Sequence, residues 1–188
     1  MEKDKQNQQD TKLETITLGG GGLGCLEAVY QQVAGVRAVE SGYTGGHVSQ
    51  PTYHEVCAGD TGHAEVVRVT FDPSAINYRE ILEIFFSIHD PTQLNRQGND
   101  VGTQYRSSIF THSEAQRAVA EYVIGKLVAE HVYDAPIVTQ VEPEQPYWPA
   151  EASHQNYYQE HPAQGYCAFV ISPKLTKFRR DFSHRMRR

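Results

Sequence analysis

The sequence predicts an α+β domain, a two-layer βαββαβ (ferredoxin-like) core with long irregular loops. Three observations carry that prediction. Residues 15–18, 36–43 and 64–71 are β-branched or alternate apolar with polar, the pattern of half-buried strands. Residues 26–30 and 78–88 place apolar side chains at helical spacing between those strands. No internal repeat and no composition-biased linker divides the 188 residues, so one core is expected.

Taken in order, residues 1–14 are polar and charged and read as a disordered leader, with the domain spanning 15–188. A strand at 15–18 runs through a glycine turn into a helix carrying Leu26, Val29 and Tyr30. Gly35 breaks the pattern before the strand at 36–43. A long loop from Thr44 holds Pro51-Thr52-Tyr53 and ends at Gly62. The strand 64–71 is closed by Asp72-Pro73, and the helix 78–88 shows Ile81, Leu82, Phe85 and Ile88 on one face before Pro91 stops it. Residues 90–105 lack periodicity, and loops of that length are usually functional or disordered. A strand follows at 106–110. Ser113 to Gln116 then reads as a capping box, with Ala115, Val119, Tyr122 and Val123 as the buried stripe of its helix. Residues 137–141 read as a short strand, 147–166 as irregular and aromatic, and 174–182 as a final helix.

Composition excludes several classes. The net charge of −6 gives no basic footprint for nucleic acid or an anionic membrane surface. No apolar run is long enough to span a bilayer, and the first residues carry no apolar signal-peptide core. Three cysteines, Cys25, Cys57 and Cys167, are odd in number and sparse, which fits a reducing compartment and a cytoplasmic location. The nine histidines show no metal-ligand spacing, so no metal is expected.

The glycine turn, Gly19 to Gly24, lies between a strand and a helix start, where backbone N–H groups converge. That geometry serves a phosphate or lowers the pKa of a cysteine. Gly19, Gly21 and Gly24 satisfy G-x-G-x-x-G, and Glu40 is the acidic residue beyond, although closer than a dinucleotide site usually has it. Dinucleotide binding therefore stands as one alternative.

Among residues able to do chemistry, Glu65 opens an apolar strand. It is either a partly buried carboxyl with a raised pKa, fit for a general acid, or a rim carboxylate. His63 with Glu65 has the His-x-Glu spacing of zinc deaminases, but the Pro-Cys-x-x-Cys partner is absent, so His63 reads as a loop histidine bonded to backbone. Tyr53, Tyr105 and Asp100 lie in irregular polar segments, the tyrosines being either hydroxyl donors to a ligand or loop anchors. Cys167, in a late loop beside Gly165, reads as a small buried apolar residue.

Several segments together resemble one family. They are Gly42-Tyr43-Thr44-Gly45-Gly46, Pro51-Thr52-Tyr53, Glu55-Val56-Cys57, Gly59-Asp60-Thr61-Gly62-His63-Ala64-Glu65 and Phe71-Asp72-Pro73. To these are added His89-Asp90-Pro91-Thr92-Gln93, Arg96-Gln97-Gly98-Asn99-Asp100, Gly102-Thr103-Gln104-Tyr105-Arg106-Ser107 and His154-Gln155-x-Tyr157. In this order and spacing, from Thr17 to Phe182, the chain resembles peptide methionine sulfoxide reductase of the A type.

The resemblance implies reduction of the S epimer of methionine sulfoxide, free or in proteins. It implies that Glu65 protonates the oxygen, that Tyr53 and Tyr105 bond it, and that Asp100 orders the site. It makes Cys167 the candidate resolving cysteine, and thioredoxin the reductant, with no bound cofactor. No nucleic acid or membrane partner is implied, and a monomer is expected.

One stretch departs from the family pattern. Where the family has Gly-Cys-Phe-Trp-Cys, this chain has Gly21-Gly22-Leu23-Gly24-Cys25. The nucleophile position falls on Gly22, and the methyl-pocket positions fall on Leu23 and Gly24. On a regular helix Cys25 would lie roughly 4.5 Å further along the axis and about 60° away, a weak substitute. The sequence thus predicts a scaffold that is inactive or severely impaired, not an enzyme as written. A module that binds sulfoxide or methionine without reducing it is the alternative.

Overall fold

The computed structural model describes residues 12–187. The expected leader falls outside the described residues as far as residue 11. Its last residue, Glu14, already opens a strand.

The architecture is mixed α/β, built on a six-stranded sheet. The strands are β1 (Glu14–Gly19), β2 (Val36–Thr44) and β3 (Ala64–Phe71), then a small hairpin of β4 (Arg96–Gln97) and β5 (Asp100–Val101), then β6 (Ser108–Thr111), β7 (Gln140–Pro143) and β8 (Tyr147–Pro149). The helices are α1 (Cys25–Tyr30), α2 (Tyr53–Cys57), α3 (Tyr78–Ser87), α4 (Glu114–Ala129), α5 (Tyr157–Glu160) and α6 (Ser172–Asp181). The sheet order is β7-β6-β1-β3-β2-β8. β1 runs antiparallel to both of its neighbours, β3 and β6, and β3 antiparallel to β2. Among the described residues no helix is long and apolar enough to cross a membrane.

The alternation in β1 sends Ile16 and Leu18 into the core. There they join Val67 and Val69 of β3, Leu26 and Val29 of α1, Ile81, Leu82 and Phe85 of α3, and Leu175 and Phe178 of α6. Each such side chain, fully buried, contributes about 1.5–3 kcal/mol. Asn77 starts α3 by accepting the Glu80 amide at 2.9 Å, and the Tyr30 hydroxyl donates to Ile81 O at 2.8 Å, tying α1 to α3.

Three expectations need correction. The strand expected at 137–141 begins at Gln140 and runs to Pro143, because its parallel pairing with β6 sets the register. The stretch 147–166, expected to be irregular, supplies β8, which pairs with β2 along Gly42 to Thr44. The helix α4 buries Gln116, Ala120 and Val123, while Tyr122 and Ala115 face solvent. Ser113 caps the Gln116 amide as expected, but the Gln116 side chain accepts from His112 and donates to Thr15 O, docking the helix on β1.

Residues 90–105 are held by side-chain bonds that leave no periodic pattern to read. The Gln97 amide donates to Asp90 O at 3.0 Å and accepts from the Asp90 N–H at 2.8 Å. That clamp fixes the β4–β5 hairpin and sets Asp100 over the glycine turn.

Candidate active site

The turn between β1 and α1 requires glycine at two positions, since Gly21 has φ 115° and Gly24 φ 96°. Gly20 lies against the His89 ring, where a Cβ would come within 3.0 Å of Cδ2. His89 is buried and locked between Phe85 O at 2.6 Å and Ser107 Oγ at 2.7 Å, and burial pulls its pKa down to about 3. A neutral ring therefore braces the turn from below.

Beside the turn opens a cavity of about 300 Å³. Gly22 and Leu23 form one wall, Tyr53 and Tyr105 another, and Asp100, His154, Tyr157, Gln164 and Tyr166 the rest. Leu23 also packs into a small apolar cluster with Tyr43, Val56, Tyr53 and Trp148. The tyrosine at the start of α2 is fixed by a capping box of Thr52 with Glu55 and by its own amide donating to Glu151 at 3.1 Å. The Tyr53 ring stacks on His154 with centroids 4.0 Å apart. Burial raises the pKa of both hydroxyls, that of Tyr105 to about 12, so both remain proton donors at neutral pH.

Glu65 sits beneath the turn, sharing a small void with residues Gly21 to Gly24 rather than lining the open cavity. It is 2% exposed, and neither carboxyl oxygen has a hydrogen-bond partner among the described residues. Burial, then the charge of Asp100, pushes its pKa up to about 8, while the Leu23 amide pulls the other way. The rim-carboxylate alternative is thereby removed, and the residue holds its proton at pH 7.

Cys25 is the first residue of α1 and is buried. Its Sγ lies 3.2 Å from the Tyr166 hydroxyl, which in turn donates to Asp100 Oδ2 at 2.9 Å. Burial pushes the thiol upward, whereas Lys174 and Tyr166 lower it. Cys167 lies not in a loop but in a π-helical turn, Cys167–Ile171, that leads into α6 and packs against α1. Such turns concentrate at functional sites. All three thiols are unbridged.

The structure brings Tyr53, Tyr105, Asp100, Gly22 and Leu23 together around one cavity. Gly24 does not join them, since its missing side chain would point at Ile171 and Tyr157. His63 accepts from Gly46 N at 3.0 Å and pairs with Val48 O at 2.7 Å, the backbone-bonded role expected of it. The glycine turn joins β1 to α1, and β3 lies between β1 and β2 in the sheet. Among the described residues no group of three His, Cys, Asp or Glu could hold a metal.

Sequence reading gave no role to Tyr166 or Glu27. Tyr166 is visible only as the neighbour of Cys167. Glu27 shows as an acidic residue inside a wholly buried helix, accepting from Ser41 Oγ at 3.1 Å and from the Tyr157 amide at 3.3 Å. Burial raises its pKa, and these donors lower it.

A buried carboxyl, tyrosine hydroxyls and a thiol at a helix start are thus gathered around one glycine turn. The sequence profile of peptide methionine sulfoxide reductase matches residues 14–186. A protein of Ralstonia nicotianae named "Peptide methionine sulfoxide reductase MsrA" is 62% identical over 178 residues, 93% of each chain. The crystal structure of Mxr1 from Saccharomyces cerevisiae in reduced form superposes with a TM-score of 0.73 at 34% identity, covering 84% of this chain and 91% of that one. Mxr1 in complex with Trx2 matches with a TM-score of 0.52 at 25% identity, covering 79% and 86%. The chain belongs to the peptide methionine sulfoxide reductase family.

These findings correct the expectation that the chain is not an enzyme. A relative this similar bears the reductase's name, and the family profile spans the whole domain. The structure also departs from the regular helix expected over residues 22–25: α1 begins only at Cys25, after the left-handed backbone at Gly24, so helical rise and rotation do not describe the place of Cys25, which is buried and does not line the cavity.

Proposed function

We propose that the chain reduces the S epimer of methionine sulfoxide, free and in proteins, with thioredoxin as the reductant. The observation that carries the reading is Glu65, a carboxyl kept protonated by burial directly beneath the glycine turn. A sulfoxide oxygen entering the cavity needs that proton, together with hydroxyl donors such as Tyr53 and Tyr105. Leu23 offers the apolar surface for the methyl group. The four central strands with α1 and α3 are read here as the ferredoxin-like βαββαβ unit that holds these groups.

In this mechanism the Cys25 thiolate attacks the sulfoxide sulfur while the Glu65 proton goes to the oxygen, giving an adduct with Cys25 Sγ and a hydroxyl on the substrate sulfur. The hydroxyl then passes from the substrate sulfur to Sγ: the substrate S–O bond and the Sγ–substrate sulfur bond break, an Sγ–O bond forms, and methionine leaves with the electron pair. Cys25 is left as a sulfenic acid. The Cys167 thiol then attacks Cys25, releasing water and forming a disulfide. A thioredoxin dithiol reduces that disulfide by exchange, as the Mxr1–Trx2 complex supports for a relative. The sparse, odd set of three cysteines supports a reducing, cytoplasmic setting, and a monomer suffices for this site.

The test is thioredoxin-coupled NADPH oxidation with the S and R epimers supplied separately. Turnover of the S epimer, lost in Cys25→Ser, is expected. No turnover of either epimer at any pH from 6 to 9 refutes the reading.

A further inference from the structure

The bridge Cys25–Tyr166–Asp100 exists because residue 22 has no side chain. A Cβ there would lie 2.7 Å from the Tyr166 hydroxyl and 3.7 Å from Asp100 Oδ2. The Tyr166 oxygen thus occupies the space a larger residue 22 would claim, and from there it reaches both the thiol, at 3.2 Å, and the carboxylate, at 2.9 Å. One hydroxyl lies between a buried sulfur and a carboxyl on the cavity wall.

We propose that the Tyr166 hydroxyl, given room by Gly22, turns from Asp100 to donate to Cys25 Sγ when the thiol ionises, so that Gly22 and Tyr166 together build the thiolate-stabilising device of this chain. The Cys25 S–H bond breaks and its proton leaves to solvent, while the Tyr166 O–H moves its hydrogen bond from Asp100 Oδ2 to the sulfur. The product is a thiolate that accepts a hydrogen bond from Tyr166; no electron changes hands. The inference rests on Cys25 as the reacting thiol and deepens that reading.

Burial alone opposes ionisation of this thiol. Lys174 on α6 favours the thiolate, whereas Asp100 on β5 and Glu65 on β3 oppose it. Lys174 donates to Ile88 O at 2.8 Å, so its position is fixed. The hydrogen bond from Tyr166 works with Lys174 to favour the charged sulfur.

The experiment is an ultraviolet titration of thiolate absorbance between pH 6 and 10 in a Cys57→Ser, Cys167→Ser background, where Cys25 is the sole thiol. Tyr166→Phe keeps the ring and removes the bridging oxygen. Gly22→Ala keeps the tyrosine and displaces its hydroxyl. Both should raise the titration midpoint by about one unit, a roughly tenfold loss of thiolate at a given pH below it. An unchanged midpoint in Tyr166→Phe, with a cooperative melt like the parent's, overturns the proposal. The titration needs no sulfoxide. A chain that shows the shift yet reduces neither epimer loses the reductase reading alone.

Discussion

Glu65→Gln is the most informative single change. The amide keeps the size of the carboxyl but cannot give up a proton as an acid. With a pKa near 8, the native carboxyl is about 90% protonated at pH 7 and about 10% at pH 9. The native rate should therefore fall roughly tenfold between those values if Glu65 supplies the proton. General acid catalysis contributes about 10²–10⁴-fold, so Glu65→Gln should lower kcat/KM by at least about a hundredfold, near 3 kcal/mol. The pH limb near 8 should vanish with it.

Stability supplies the control for that change. The folded state binds the Glu65 proton more tightly than the unfolded chain does. Its contribution is complete below about pH 4.5 and is lost as pH rises through about 8. Thermal melts at pH 9 should find the glutamine variant at least as stable as the parent, because no lone buried carboxylate is left. The assay is initial-rate NADPH oxidation from pH 6 to 9 beside melts in the same buffers. A variant that keeps its rate within threefold at pH 7, or a parent whose rate is flat from pH 7 to 9, refutes the acid role.

Further predictions concern neighbouring groups. Cys167→Ser should still form methionine in a single turnover and leave a Cys25 sulfenic acid trapped by dimedone, yet fail in the thioredoxin-coupled assay; sustained coupled turnover would exclude Cys167 as the resolving thiol. His89→Ala removes two buried hydrogen bonds and the brace under Gly20, and should cost about 2–4 kcal/mol by urea melt. Because His89 stays neutral to about pH 3, the native chain should lose stability as pH falls below about 6.5, and the slope should be shallower in a His89→Gln variant. Glu27→Gln should loosen the contact between α1 and the Tyr157 amide, raising KM for the S epimer several-fold with kcat nearly unchanged; a pure loss of kcat would count against a role in shaping the cavity wall.

Local pattern determined much of this protein. The strand Ala64–Phe71 and the helices at Cys25 and Tyr78 follow from apolar periods that only a half-buried strand or an amphipathic helix satisfies. Glu65 was legible as a candidate acid because a carboxyl opening an apolar strand is an anomaly. Motif order was enough to suggest the family. Tertiary structure decided the rest, because those features depend on groups distant in sequence. The Gln97–Asp90 clamp and the pairing of β8 with β2 impose no period on the residues that make them. Whether Glu65 is buried or on the rim depends on the turn packed above it. Residues 22–24 look helical by analogy, yet the left-handed backbone at Gly24 delays the helix to Cys25. The thiol then meets Tyr166, 141 positions away, through space left open by a glycine, and no local pattern records an absent side chain.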